Sequence, residues 1–85
     1  MVKPVTLNDI PGGFIINEGD GSYIVVCAYD KAEATAEKYA EEHDFEIHAY
    51  YYVNGWKQAA KNILQWYRGK LEAEDKERLL NLMEA

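Results

Sequence analysis

Residues 22–53, SYIVVCAYDKAEATAEKYAEEHDFEIHAYYYV, decide the fold because their apolar spacing changes twice. Ser22–Tyr29 is apolar on both faces, which is typical of a central strand covered on two sides. From Asp30 to His43 the apolar residues recur at helical spacing, and residues 45–53 then alternate with a period of two. A strand, a helix and a second strand in this order predict a right-handed crossover between two parallel strands.

The flanking sequence predicts a hairpin before this unit and two helices after it. Phe14–Ile16 reads as a short strand, and the polar, glycine-containing residues 17–21 favour a hairpin turn. Residues 56–68 carry a clear helical apolar stripe, and Ala73–Met83 carries a second, weaker one. Residues 1–12 contain repeated turn signals and are predicted to be an irregular lead-in. We therefore predict one small α+β domain over residues 1–85, ordered ββαβαα, with a three-stranded sheet packed by helices.

Two local expectations concern the crossover unit. Asp30 should cap the first helix, with Glu33 completing a capping box. The alternation in residues 45–53 should turn one set of side chains to the core and leave His48, Tyr50 and Tyr52 on the opposite face. The predicted core set is Phe45, Ile47, Ala49, Tyr51 and Val53, packed by Tyr39, Ile63 and Tyr67.

Charge is distributed unevenly along the chain. Residues 1–46 carry ten carboxylates against three lysines, whereas Ile47–Leu71 contains no acidic residue and holds four basic and six aromatic ones. A cationic, aromatic segment inside an acidic chain is typical of an interaction surface, because aromatic residues supply binding energy and charge asymmetry steers association.

Composition excludes several classes of protein. The single cysteine, Cys27, allows no internal disulfide and fits a reducing compartment. The sequence shows no secretory h-region and no apolar run near the ~20 residues that a membrane span needs, so we expect a cytoplasmic protein. A net charge of −6 disfavours binding to nucleic-acid phosphates and is compatible with a basic protein partner.

Residues able to carry chemistry are scattered. Cys27, His43 and His48 lack zinc-ligand spacing, and the apolar strand around Cys27 does not favour a thiolate. Ser22, the only serine, has no nucleophile-elbow pattern around it. We expect no enzymatic activity, no cofactor and no metal.

Three candidate partner-binding surfaces remain. The acidic row lies along one side of the first helix and comprises Asp30, Glu33, Glu37, Glu41 and Asp44. Like charges four residues apart destabilise a helix, so the acidic row is either a phosphate-like line that engages a basic groove or a solubilising outer face.

The other two surfaces belong to the basic, aromatic segment. Lys57, Lys61 and Arg68 fall on one flank of the second helix and Trp66 on the other. This is a recognition helix, an ordinary solvated face with Trp66 tucked against the last helix, or an internal complement to the acidic first helix. The face with His48, Tyr50 and Tyr52 is either a binding surface or half-core covered by the final helix.

In its size, acidity and ββα-type layout the chain resembles the small proteins that phages and mobile elements encode to block host machinery, such as anti-CRISPR proteins. The resemblance implies a non-enzymatic inhibitor that occludes a nucleic-acid-binding surface of a host complex, as a nucleic-acid mimic does. The residues themselves predict a module that binds another protein. The alternatives are a homodimer through the Tyr/Trp surface and a weak nucleic-acid binder using Lys57, Lys61, Trp66 and Arg68.

Overall fold

The computed structural model describes residues 5–19 and 21–84. It contains the strands β1 (Thr6–Ile10), β2 (Gly13–Asn17), β3 (Tyr23–Cys27) and β4 (Ala49–Tyr52), and the helices α1 (Lys31–His43), α2 (Gly55–Trp66) and α3 (Ala73–Glu84). One sheet has the strand order β1-β2-β3-β4, in which only the β3–β4 pair is parallel. The α+β class and the helical crossover between parallel strands are therefore confirmed.

The sheet has four strands, so the prediction of three strands was wrong. Residues 6–10, predicted to be irregular, pair antiparallel with β2 from Thr6↔Asn17 to Ile10↔Gly13, while residues 1–4 lie outside the described part. The turn signals at Pro11 and Gly12 join the two strands, and Gly12 adopts a φ of 91°. Polar residues at positions 8 and 9 are tolerated because β1 is an edge strand with solvent beside it.

Helices cover the sheet on both faces. Buried Ile15 and Val25 face α1, whose fully buried Ala32 and Ala36 allow the helix to approach the sheet closely. The opposite face packs against α2 and α3 and contains the larger core cluster. Its buried members are Val5, Leu7, Phe14, Ile16, Ile24, Val26, Ala28, Ala59, Ala60, Ile63, Tyr67 and Leu79.

The predicted core set of residues 45–53 is divided between the two faces. Phe45 and Ile47 pack on the α1 side, where Phe45 stacks on Tyr23 with ring centroids 4.0 Å apart. Ala49 and Val53 pack on the α2 side. Strand geometry begins only at Ala49, so the alternation of the preceding residues does not continue in phase through β4. Tyr39 packs with the α1 cluster, whereas Ile63 and Tyr67 belong to the other one.

The start of α1 differs from the predicted capping box. Asp30 already has helical dihedral angles (φ −54°, ψ −32°) and makes no side-chain capping hydrogen bond. An N-cap side chain reaches the helix amides when its own backbone is extended, which Asp30 is not. Glu33 bonds elsewhere, to the hydroxyl of Tyr52.

Candidate functional site

The acidic row lies on the side of α1 that faces β4. All five of its residues are exposed. The hydroxyl of Tyr52 donates a hydrogen bond to Glu33 Oε2 at 3.0 Å, and Glu37 and Glu41 line a shallow hollow with Tyr50. At a rise of about 1.5 Å per residue, the row extends for about 20 Å along the helix.

No ion pair neutralises the acidic row within the described part of the chain. The salt bridges found there both use Arg78, which contacts Asp9 and Asp75 at 3.0 Å each. The basic residues of α2 lie across the sheet from α1, because the two helices pack on opposite faces. The hypothesis that α2 lies beside α1 as its internal complement was therefore wrong.

The pKa is raised for both tyrosines beside the acidic row. Burial, together with the charges of Glu37 and Glu33, raises the pKa of Tyr50. The hydrogen bond to Glu33 raises the pKa of Tyr52, since the protonated hydroxyl is the donor. Tyr52 therefore contacts Glu33 as a neutral donor.

The face predicted to carry His48, Tyr50 and Tyr52 is split by the sheet. Tyr50 is half-buried on the α1 side, and that helix, rather than the final one, covers it. His48 is exposed and lines a hollow of about 410 Å³ with Trp66 and Lys70. His48 precedes the first residue of β4, so the period-two pattern does not fix its direction.

The predicted basic flank of α2 is also shorter than expected. Lys57 and Lys61 are exposed on the helix, but Arg68 lies beyond its last residue, Trp66, in the turn that follows. Trp66 is 43% exposed, and its ring packs on Tyr51 of β4 with centroids 5.0 Å apart.

Sequence reasoning missed Tyr51 as a surface residue. Its ring is 44% exposed at the edge of the sheet. Period-two alternation predicts that Tyr51 lies in the core. No signal in the sequence shows that β4 is an edge strand. Tyr67, predicted as core, is buried, and its hydroxyl donates to Glu18 at 3.2 Å.

Cys27, His43 and His48 lie at different places: Cys27 lines a cleft, His43 stacks on Tyr39, and His48 lines the hollow beside Trp66. Cys27 is buried in β3, and burial together with Glu33 raises the pKa of its thiol. Its thiolate, the nucleophilic form, is therefore disfavoured. Within residues 5–19 and 21–84, no cluster of three or more His, Cys, Asp or Glu side chains is arranged to hold a metal ion.

A cleft of about 880 Å³ lies where the parallel strands end. Tyr29, Tyr52, Trp56, Cys27 and Glu33 contribute to its walls. The rings of Tyr29 and Trp56 contact each other with centroids 5.8 Å apart.

Among the helices of residues 5–19 and 21–84, none has the length and apolar character that a membrane span requires.

Comparisons with known proteins return no match. No family model matches the chain, and neither a curated protein nor a solved structure is similar to it. The surfaces described above are therefore the basis for a functional assignment.

Proposed function

We propose that this protein is a non-enzymatic interaction module that binds a basic surface of another protein through the acidic row. One observation carries the proposal: five exposed carboxylates follow one side of α1, and no ion pair within the described residues relieves them. Each like-charged pair four residues apart costs an isolated helix about 0.2–0.5 kcal/mol. Cations from a partner would remove this repulsion on binding.

The spacing of the acidic row supports a role as a nucleic-acid mimic. Carboxylates four residues apart on a helix are separated by about 6 Å along its axis. The five carboxylates of the row lie about 5 Å apart on average, against about 3.4 Å between charges along one strand of duplex DNA, so the row has about two thirds of that charge density. A groove lined with Lys and Arg accepts such a line of anions. This is the role that the resemblance to phage-encoded inhibitors implies, namely to occlude a nucleic-acid-binding surface of a host complex.

Reversing part of the acidic row tests the proposal. The immobilised protein should capture proteins with basic surfaces from a cell lysate, and Glu37→Lys/Glu41→Lys should abolish the capture. The fold should persist, because exposed substitutions change stability by less than about 0.5 kcal/mol. Binding should also weaken between about 50 mM and about 300 mM salt, because exposed charges are screened.

The matched control is Glu42→Lys/Glu77→Lys. It makes the same change in net charge at exposed positions on the far side of α1 and on α3. This variant should keep most of its partner affinity. A partner that binds the Glu37→Lys/Glu41→Lys variant as tightly as the original protein at low salt would contradict the proposal.

Self-association is the second candidate function. Tyr51, Tyr52 and Trp66 are exposed near one edge of the sheet, and exposed aromatic residues favour interfaces. Sedimentation of the purified protein separates the two functions. A stable dimer whose contacts are lost in Tyr51→Ala would favour self-association over binding of a basic partner.

A further inference from the structure

We propose that the free edge of β4 binds an extended, basic segment of a partner protein, which adds to the sheet as a fifth strand. This inference rests on the proposed function, because it specifies the partner segment that the acidic row would meet. It also joins two surfaces that the sequence analysis treated separately: the acidic row lies on one side of β4, and the pair formed by Tyr51 and Trp66 lies on the other.

Among the described residues, no strand pairs with the outer side of β4, so the backbone groups on that side are available. β4 ends the sheet, and its ladder with β3 uses one side only. Successive residues of a strand direct their N–H and C=O groups to opposite sides. Val53 N–H donates to the Cys27 carbonyl at 2.9 Å, so the alternation directs the groups of Tyr50 and Tyr52 away from β3. An incoming strand would supply their partners.

The opposite edge of the sheet, along β1, is partly covered. Just before β1 begins, Val5 N–H donates to the Lys70 carbonyl at 3.0 Å, and Val5 forms an isolated bridge with Leu71. Arg78 approaches the Leu7 carbonyl and pairs with Asp9. No described element lies along the outer side of β4, and Ala49–Tyr52 contains neither the lysine nor the proline that blunts many free edges.

The α1 side of this edge selects cations. Alternate side chains of an added strand point to the same face of the sheet. On the α1 face they would lie beside Tyr52 and Tyr50, where Glu33 and Glu37 are located. Lysine or arginine side chains would therefore meet two exposed carboxylates that carry no ion pair within the described residues.

The α2 side of the edge selects apolar groups. Tyr51 and Trp66 contact each other there and leave nearly half of each side chain exposed. Apolar side chains from the added strand would pack on these rings. The expected segment therefore alternates basic and apolar residues.

Charge disfavours a second copy of the chain as the occupant. Two β4 strands could pair antiparallel about a two-fold axis perpendicular to the sheet, as in many dimers. That axis would place α1 beside its symmetry mate, so two acidic rows would face each other. A basic segment replaces this repulsion with attraction.

A synthetic peptide of alternating lysine and valine is the probe, with tryptophan fluorescence of the unmodified protein as the signal. Along the peptide, N–H direction and side-chain direction alternate together, so either the lysine or the valine amides face β4. N-methylation of one set should weaken binding about tenfold or more, whereas methylation of the other set should have little effect. Equal effects of the two methylated peptides would overturn the inference.

Charge exchange is the second arm. Glu33→Lys/Glu37→Lys should lose affinity for the lysine–valine peptide and gain affinity for a glutamate–valine peptide, whereas Glu42→Lys should behave like the original protein. If charge exchange occurs but the two methylated peptides bind equally, the acidic row binds basic segments without strand addition, and only this inference fails. If capture of basic partners does not depend on the row at all, the proposed function fails as well.

Discussion

The bond between Tyr67 and Glu18 ties the end of α2 to the turn after β2. The tyrosine is buried, and its hydroxyl is 3.2 Å from Glu18 Oε2. Burial and the adjacent carboxylate both raise the pKa of Tyr67, because each disfavours a second negative charge there. Folding therefore favours the protonated tyrosine. Its contribution to stability is fully present below the pKa of an unfolded tyrosine and is lost as the pH rises toward the higher pKa of the folded state.

This linkage gives a prediction at the residue scale. Between about pH 9 and about pH 11 the unfolded chain should release the Tyr67 proton while the folded chain keeps it. The free energy of unfolding should then fall more steeply for the original protein than for Tyr67→Phe, by up to about 1.4 kcal/mol per pH unit. Urea unfolding at several pH values measures the difference. A constant gap between the two proteins would show that Tyr67 titrates as an ordinary tyrosine.

At the scale of elements, α2 has one side buried against the sheet and another side exposed near the edge strand β4. Ile63 is fully buried against the sheet, whereas Trp66, three residues later, is 43% exposed. Ile63→Ala should cost about 2–4 kcal/mol through lost burial and the cavity left behind. Trp66→Ala should cost about 1 kcal/mol or less in stability and should instead weaken partner binding. Denaturant midpoints and binding constants measure the two effects. Equal losses of stability would place Trp66 in the core.

The crossover unit could be predicted from the sequence because its pattern is periodic. The spacing of Ala32, Ala36 and Ala40 shows which side of α1 is buried, and all three are buried. β1 could not be predicted in this way, since its Asn8 and Asp9 are poor strand formers that an exposed edge tolerates. The acidic row was visible as a helical spacing, but its position beside β4 depends on how α1 docks, which local periodicity does not encode.

At the scale of the whole molecule, stability depends on the packing of helices against the two faces of the sheet. A domain of 85 residues buries only about 60% of its unfolded surface, so its net stability is small. The last helix has one fully buried residue, Leu79, whereas its neighbour Leu80 is 43% exposed.

Leu79→Ala should therefore cost about 2–5 kcal/mol and release α3 from the sheet. Leu80→Ala, the matched control, should change stability by less than about 1 kcal/mol. Hydrogen exchange of the α3 amides measures the local effect, and thermal unfolding measures the global one. If α3 amides exchange equally slowly in both variants, contacts other than Leu79 hold the helix.

The reactivity of the single thiol measures local opening of the sheet. Cys27 lies in β3 between the parallel and antiparallel ladders, almost closed to solvent and with a raised pKa. Because Cys27 is nearly closed to solvent in the wall of the cleft, at the end of β3, the rate of its alkylation measures how often this end of the sheet opens. Because β4 is the neighbour of β3, any molecule that holds β4 in place should lower the rate at which Cys27 is alkylated. Cys27 thus records occupancy of the edge without an added label.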